Sequence, residues 1–135
     1  MALNLDEIWL IAIEVRQWVE KKAGSNFSLC GWCAIASAEL CYQLKQRGYK
    51  PKICFTYGHS FVRLGAYLID ITATQFRQAP KEHIVLLRYK EIKPYIEGKY
   101  WFWDCMASFS CMKQAREYQQ QMDWCEEQLI LEKEK

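Results

Sequence analysis

The chain reads as an α+β domain in which a central helix packs on a small antiparallel sheet, with further helices covering it at the N- and C-termini. Three patterns predict this. Apolar residues recur at helical spacing near both ends and again from Cys33 to Leu44. Alternation of period two runs from His59 to Thr72 across Gly65. Glycine and proline punctuate the boundaries at Gly24, Gly48, Pro51 and Gly65. With 135 residues, 51% hydrophobic and 25% charged, the chain can close a single core without metal or disulfide help. Residues 1–135 are therefore read as one domain, with an N-terminal helix over 1–23, a core over 29–89 and a C-terminal helix over 107–133.

Taken in order, Asn4 followed by Glu7 resembles a capping box and starts a helix over 4–22. Leu5, Ile8, Ala12, Val15 and Val19 supply its apolar stripe, with Trp9 and Trp18 beside it, and Gly24 ends it. After a polar loop over 24–32, Cys33, Ser37, Leu40, Cys41 and Leu44 form the stripe of a second helix that Gly48 stops. The small residues Ala34, Ala36, Ser37 and Ala38 in its first turns let a sheet approach closely. Lys52 to Tyr57 is a strand. On the hairpin that follows, Ser60, Val62, Leu64, Tyr67, Ile69 and Ile71 share one face, while His59, Phe61, Arg63, Leu68, Asp70 and Thr72 share the other. A two-residue turn at Gly65 and Ala66 pairs position 59 with 72 and 61 with 70. His59 and Asp70 are then diagonal neighbours ~7–8 Å apart at their backbones; an odd turn without a bulge would place them on opposite faces.

Residues 73–82 read as a loop, HIVLLRY over 83–89 as a buried strand, and YWFWD over 100–104 as a strand or an aromatic plug. In the final helix, from about Ser108, Cys111, Ala115, Tyr118, Met122, Cys125 and Leu129 make a heptad-like seam. That seam predicts docking onto the body, with a dimer or partner contact as the alternative.

Composition narrows the function classes. A net charge of +2 with scattered basic residues gives no electrostatic case for nucleic acid or an anionic membrane. No apolar stretch reaches the ~18 residues of a membrane span. The opening MALNLDEIWL carries acids where a signal peptide carries Lys or Arg, so a cytoplasmic location is expected. Seven cysteines, an odd number, suit a reducing compartment better than a disulfide framework. Most are then small hydrophobes, and only position makes one special.

Cys33 is so placed. A helix N-terminus offers unpaired N–H groups and the positive end of the macrodipole, and a nearby imidazolium adds charge; both favour the thiolate. His59 can supply that ring, and Asp70 can fix its tautomer.

The GxC of Gly31 and Cys33, the helix ending LKQRG, the strand HSFVRL at His59 and the segment LIDITATQF at Asp70 together resemble the transglutaminase-like branch of the papain-like cysteine hydrolases. The resemblance covers residues 29 to 76 and rests on order and spacing, 26 residues from Cys33 to His59 and 11 from His59 to Asp70. It implies a papain-like or transglutaminase-like core, with Cys33 as nucleophile, His59 as base and Asp70 as orienter. It also implies a peptide or protein substrate, a thioester intermediate and no cofactor. Papain itself carries a Gln oxyanion donor six residues before its cysteine, where this chain has Phe27. The Cys33 N–H must then be joined by another donor, with Asn26 the candidate, while Gln75 is expected to support the Asp70 strand. Trp32 is a candidate wall of the substrate cleft.

Two other readings stay open. The CGWC of Cys30 and Cys33 also resembles the CxxC of thioredoxin-like oxidoreductases, although AGSNFSL before it makes a poor strand. A catalytically inactive binding module on the same scaffold is the other. Zinc is disfavoured, because Cys30, Cys33, Cys54 and His59 lack a second close pair.

Overall fold

Asn4 sets the first helix. Its side-chain oxygen accepts the Glu7 N–H at 3.1 Å, which caps α1, Leu5–Ala23. Asp6 and Glu7 in the first turn and Lys21 and Lys22 in the last complement the helix dipole. Gly24, at φ +82°, returns its N–H to the Glu20 carbonyl and stops the helix. The structure is a computed structural model, and it describes residues 2–24, 32–56, 58–76, 84–88, 90–92 and 103–121.

The second helix, α2, runs Cys33–Gln46 and buries Ala36, Ser37, Leu40, Cys41 and Leu44. Past it, Gly48 at φ +87° lets its own N–H and that of Tyr49 reach back to the Lys45 and Leu44 carbonyls. Among the described residues five strands follow: β1 Lys52–Thr56, β2 His59–Leu64, β3 Tyr67–Asp70, β4 Val85–Arg88 and β5 Ala107–Phe109. They form one antiparallel sheet in the order β4-β3-β2-β1-β5. The turn between β2 and β3 has two residues, Gly65 at φ +58° and Ala66, and the pairs Leu64↔Tyr67, Arg63↔Leu68 and Val62↔Ile69 follow from it. This even register puts His59 and Asp70 on the same sheet face.

The alternation sorts the core into two clusters. Ile53, Phe55, Val62, Leu64, Ile69 and Ile71 meet Ile8, Ala12, Val15, Val19, Leu40 and Leu44 of α1 and α2. On the opposite face, Cys54, Phe61, Leu68, Ala73, Val85, Ile92 and Trp103 form a smaller cluster. Arg16 joins α1 to the segment after β3. Its guanidinium donates to the Ile71 carbonyl at 2.7 Å and to Thr74 Oγ1 at 3.0 Å, and pairs with Glu20 at 2.6 Å.

Two expectations from the sequence need correcting. The C-terminal helix does not begin at 107. Ala107–Phe109 pairs with Ile53–Phe55 as an edge strand, because β1 otherwise presents an unpaired row of backbone groups on that side. Helical structure then covers 112–121, here α3, and it docks on the body through Ala115, Met112 and Tyr118. Tyr118 lies 5.2 Å from the Phe55 ring and 5.3 Å from Phe109. Cys111 is exposed just ahead of it rather than in the seam. Similarly, the run over 83–89 contains β4, which among the described residues is an edge strand paired with β3 alone, and Leu87 is 39% exposed instead of buried.

Candidate active site

Asp70 closes β3 with its carboxylate fully enclosed, 1% exposed. Its Oδ2 accepts from His59 Nε2 at 2.7 Å and from the Trp103 indole N–H at 2.5 Å. Its Oδ1 accepts from the Thr72 backbone N–H at 3.0 Å, an Asx turn, and more weakly from Thr72 Oγ1 at 3.4 Å. Burial pushes this carboxyl up. The adjoining imidazole, the indole and the Thr72 N–H outweigh burial and hold it below the ordinary carboxylate range.

His59 opens β2 and is buried as well, with Phe76 edge-on at 4.9 Å and Phe61 at 6.3 Å. Burial favours its neutral form. The charge and hydrogen bond of Asp70, followed by Cys33, reverse this and raise the imidazole to about 9. With Nε2 committed to Asp70, Nδ1 is the nitrogen left for other partners. Gln75 Nε2, on the 3-10 turn Ala73–Gln75, stands 3.3 Å from Nδ1. Rotating that amide by a half-turn exchanges its nitrogen for oxygen, so Gln75 can partner Nδ1 with or without its proton.

Cys33 begins α2, where Trp32 makes no side-chain cap and leaves the first-turn N–H groups without that partner. Burial pushes the Cys33 thiol up. The hydrogen bond and charge of His59, then the hydroxyl and backbone N–H of Ser60, pull it below its ordinary value. Ser60 Oγ is, among the described residues, the buried side-chain oxygen without a well-formed hydrogen bond, and it faces the Cys33 sulfur. A buried hydroxyl in that condition calls for a physical reason.

The structure therefore brings Cys33, His59 and Asp70 into one chain of contacts, with Gln75 against the ring. Trp32 packs partly buried on the helix-side core. Asn26 and Cys30 lie outside the described residues, as do Tyr100 to Phe102 of the aromatic segment. Sequence reasoning missed three contributors. Thr72 had a local signal, the D-x-T spacing of an Asx turn, and Ser60 adjoins His59. Trp103 had none, being 33 residues from its partner.

Among the described residues no group of His, Cys, Asp or Glu side chains is arranged to hold a metal, and no helix is long and apolar enough to cross a membrane. A groove of about 490 Å³ runs between α1, α2 and α3 past Trp18, Ile35, Tyr42 and Met112, and Cys33, His59 and Asp70 are not among its lining residues. Compared with family models, curated proteins and solved structures, the chain has no match.

Proposed function

We propose that the chain is a cysteine-dependent amide hydrolase or acyl transferase acting on a peptide or protein, most simply a protease, built on a papain-like or transglutaminase-like core. The observation that carries this is the clamped imidazole. Asp70 holds Nε2, so the other nitrogen is presented to a thiol at a helix start whose ionised form is favoured.

In this mechanism the Cys33 thiolate attacks the substrate carbonyl carbon, and the carbonyl electrons move onto oxygen. The Cys33 backbone N–H is the donor offered to that oxyanion, in place of the papain glutamine. As the tetrahedral intermediate collapses, the C–N bond breaks, His59 Nδ1–H delivers its proton to the departing amine, and a thioester to Cys33 remains. His59 then takes a proton from water or from an acceptor amine, which attacks the thioester. The acyl group leaves as an acid or as a new amide, and Cys33 returns as thiolate. Asp70 keeps its negative charge throughout and stabilises the imidazolium.

Alkylation with iodoacetamide at about pH 6, where ordinary thiols are protonated, followed by peptide mapping tests this reading. Cys33 should be labelled far ahead of the other cysteines, and His59→Ala should remove that advantage. Slow, uniform labelling of all the cysteines would overturn the proposal.

A further inference from the structure

Side-chain hydrogen bonds close a circuit beside the His59 imidazole, and the proposed mechanism uses only half of it. His59 Nε2 meets Asp70 Oδ2 at 2.7 Å, and Thr72 Oγ1 donates to Asp70 Oδ1 at 3.4 Å. Gln75 Nε2 donates to Thr72 Oγ1 at 3.5 Å and stands 3.3 Å from His59 Nδ1, which completes the loop. The backbone that carries Gln75 is held in place. Its N–H reaches the Thr72 carbonyl at 3.2 Å and the Phe76 N–H the Ala73 carbonyl at 3.0 Å, while Arg16 grips the Ile71 carbonyl and Thr74 Oγ1.

The circuit has a direction. An ionised carboxylate only accepts, so Asp70 takes the hydroxyl hydrogen of Thr72. What Thr72 Oγ1 then offers Gln75 is a lone pair, and the end of the amide turned towards it is the nitrogen. That same nitrogen faces Nδ1. A half-turn of the amide sets Gln75 Oε1 against the Thr72 lone pairs, unless Thr72 gives up its bond to the carboxylate. Gln75 therefore meets Nδ1 as a donor, which suits a bare lone pair and opposes an N–H.

We propose that Gln75 is a positioning residue that keeps the Nδ1 lone pair of His59 free of a proton, as the counterweight to Asp70. Among the described residues, Asp70 from β3 and Cys33 from α2 are the titratable groups that face the ring, and both favour its charged form. Burial and the Gln75 N–H favour the neutral form, whose remaining hydrogen lies on Nε2 towards Asp70. In the proposed reaction His59 surrenders the Nδ1 proton to the leaving amine and then presents a lone pair to water or an acceptor amine. A ring gripped by Asp70 alone would hold its proton through that second stage. The catalytic meaning of Gln75 rests on His59 being the base; its effect on the ring does not.

The test is a pH titration of His59 by proton–nitrogen NMR on the full, isotope-labelled chain in a Cys33→Ala background, which takes the thiol out of the titration. The chain has two histidines, so His83→Gln assigns the His59 signals. Above the midpoint, Nδ1 should resonate as the bare nitrogen and Nε2 as the protonated one. In Gln75→Leu the ring should hold its proton roughly 3- to 10-fold more tightly, the range that one hydrogen bond to the neutral ring supplies. Thr72→Val frees the amide to turn its oxygen to Nδ1–H, and should move the midpoint the same way. An unchanged midpoint in Gln75→Leu overturns the proposal. A fall also overturns it, because losing a side chain that merely braces the ring would loosen the contact with Asp70 and release the proton more easily. The opposite tautomer in the Cys33→Ala chain is a third overturning result. Slow, uniform labelling of the cysteines would remove the proposed function without touching this titration, so the two failures are distinguishable.

Discussion

Asp70 spends both oxygens on donors, and the substitution Asp70→Asn exposes what that does. An amide nitrogen facing the His59 ring or the Trp103 indole sets donor against donor, and the counter-charge disappears while burial of the ring remains. The imidazole titration, followed by proton NMR, should fall well below the native value of about 9 in the variant, with the Cys33 contribution alone left to oppose burial. The sign for stability follows. Because the folded value lies above the unfolded one, the His59 contribution is complete below an unfolded pKa of ~6.5. It is lost as pH rises through about 9. Urea unfolding across that window should show the native chain weakening more than Asp70→Asn. At this scale residue type and order in the chain made Cys33, His59 and Asp70 legible. Trp103 was not, because a hydrogen bond between residues far apart in sequence leaves no periodic trace.

Elements were legible where their pattern is local. α1 carries its cap, stripe and stop in consecutive residues, and β2 and β3 carry strict alternation. For that reason a single cap should be measurable on its own. Asn4→Ala leaves the Glu7 N–H without its acceptor and should cost about 1 kcal/mol in chemical denaturation, while Asn4→Asp should preserve most of it. A cost below a few tenths would mean that water replaces the cap fully. β5 was illegible for the opposite reason. Three residues, Ala-Ser-Phe, have no period, and they are a strand only because β1 lies beside them. β4 misled through its unbroken apolar run. Such a run marks a strand buried on both faces in many sheets, yet here it belongs to an edge.

At the scale of the molecule, Arg16 ties α1 to the segment that follows β3. Its contacts to Ile71 and Thr74 fasten α1 to the stretch that continues into Gln75, the partner of His59. Arg16→Met keeps the packing stem but deserts a buried carbonyl. We expect a loss of about 1.5–3 kcal/mol in urea unfolding, together with slower labelling of Cys33 under conditions where the variant stays folded. Unchanged labelling would show that the tie is structural only. Nothing in the pattern of α1 announced this role, since a charged residue beside Val15 reads as a flank until its distant acceptors are known. The two-residue turn at Gly65 and Ala66 carries a last implication, for descent rather than chemistry. A gain or loss of one codon there would turn Asp70 towards the helices, so viable length variants in a lineage keeping this site should differ at that turn by even steps.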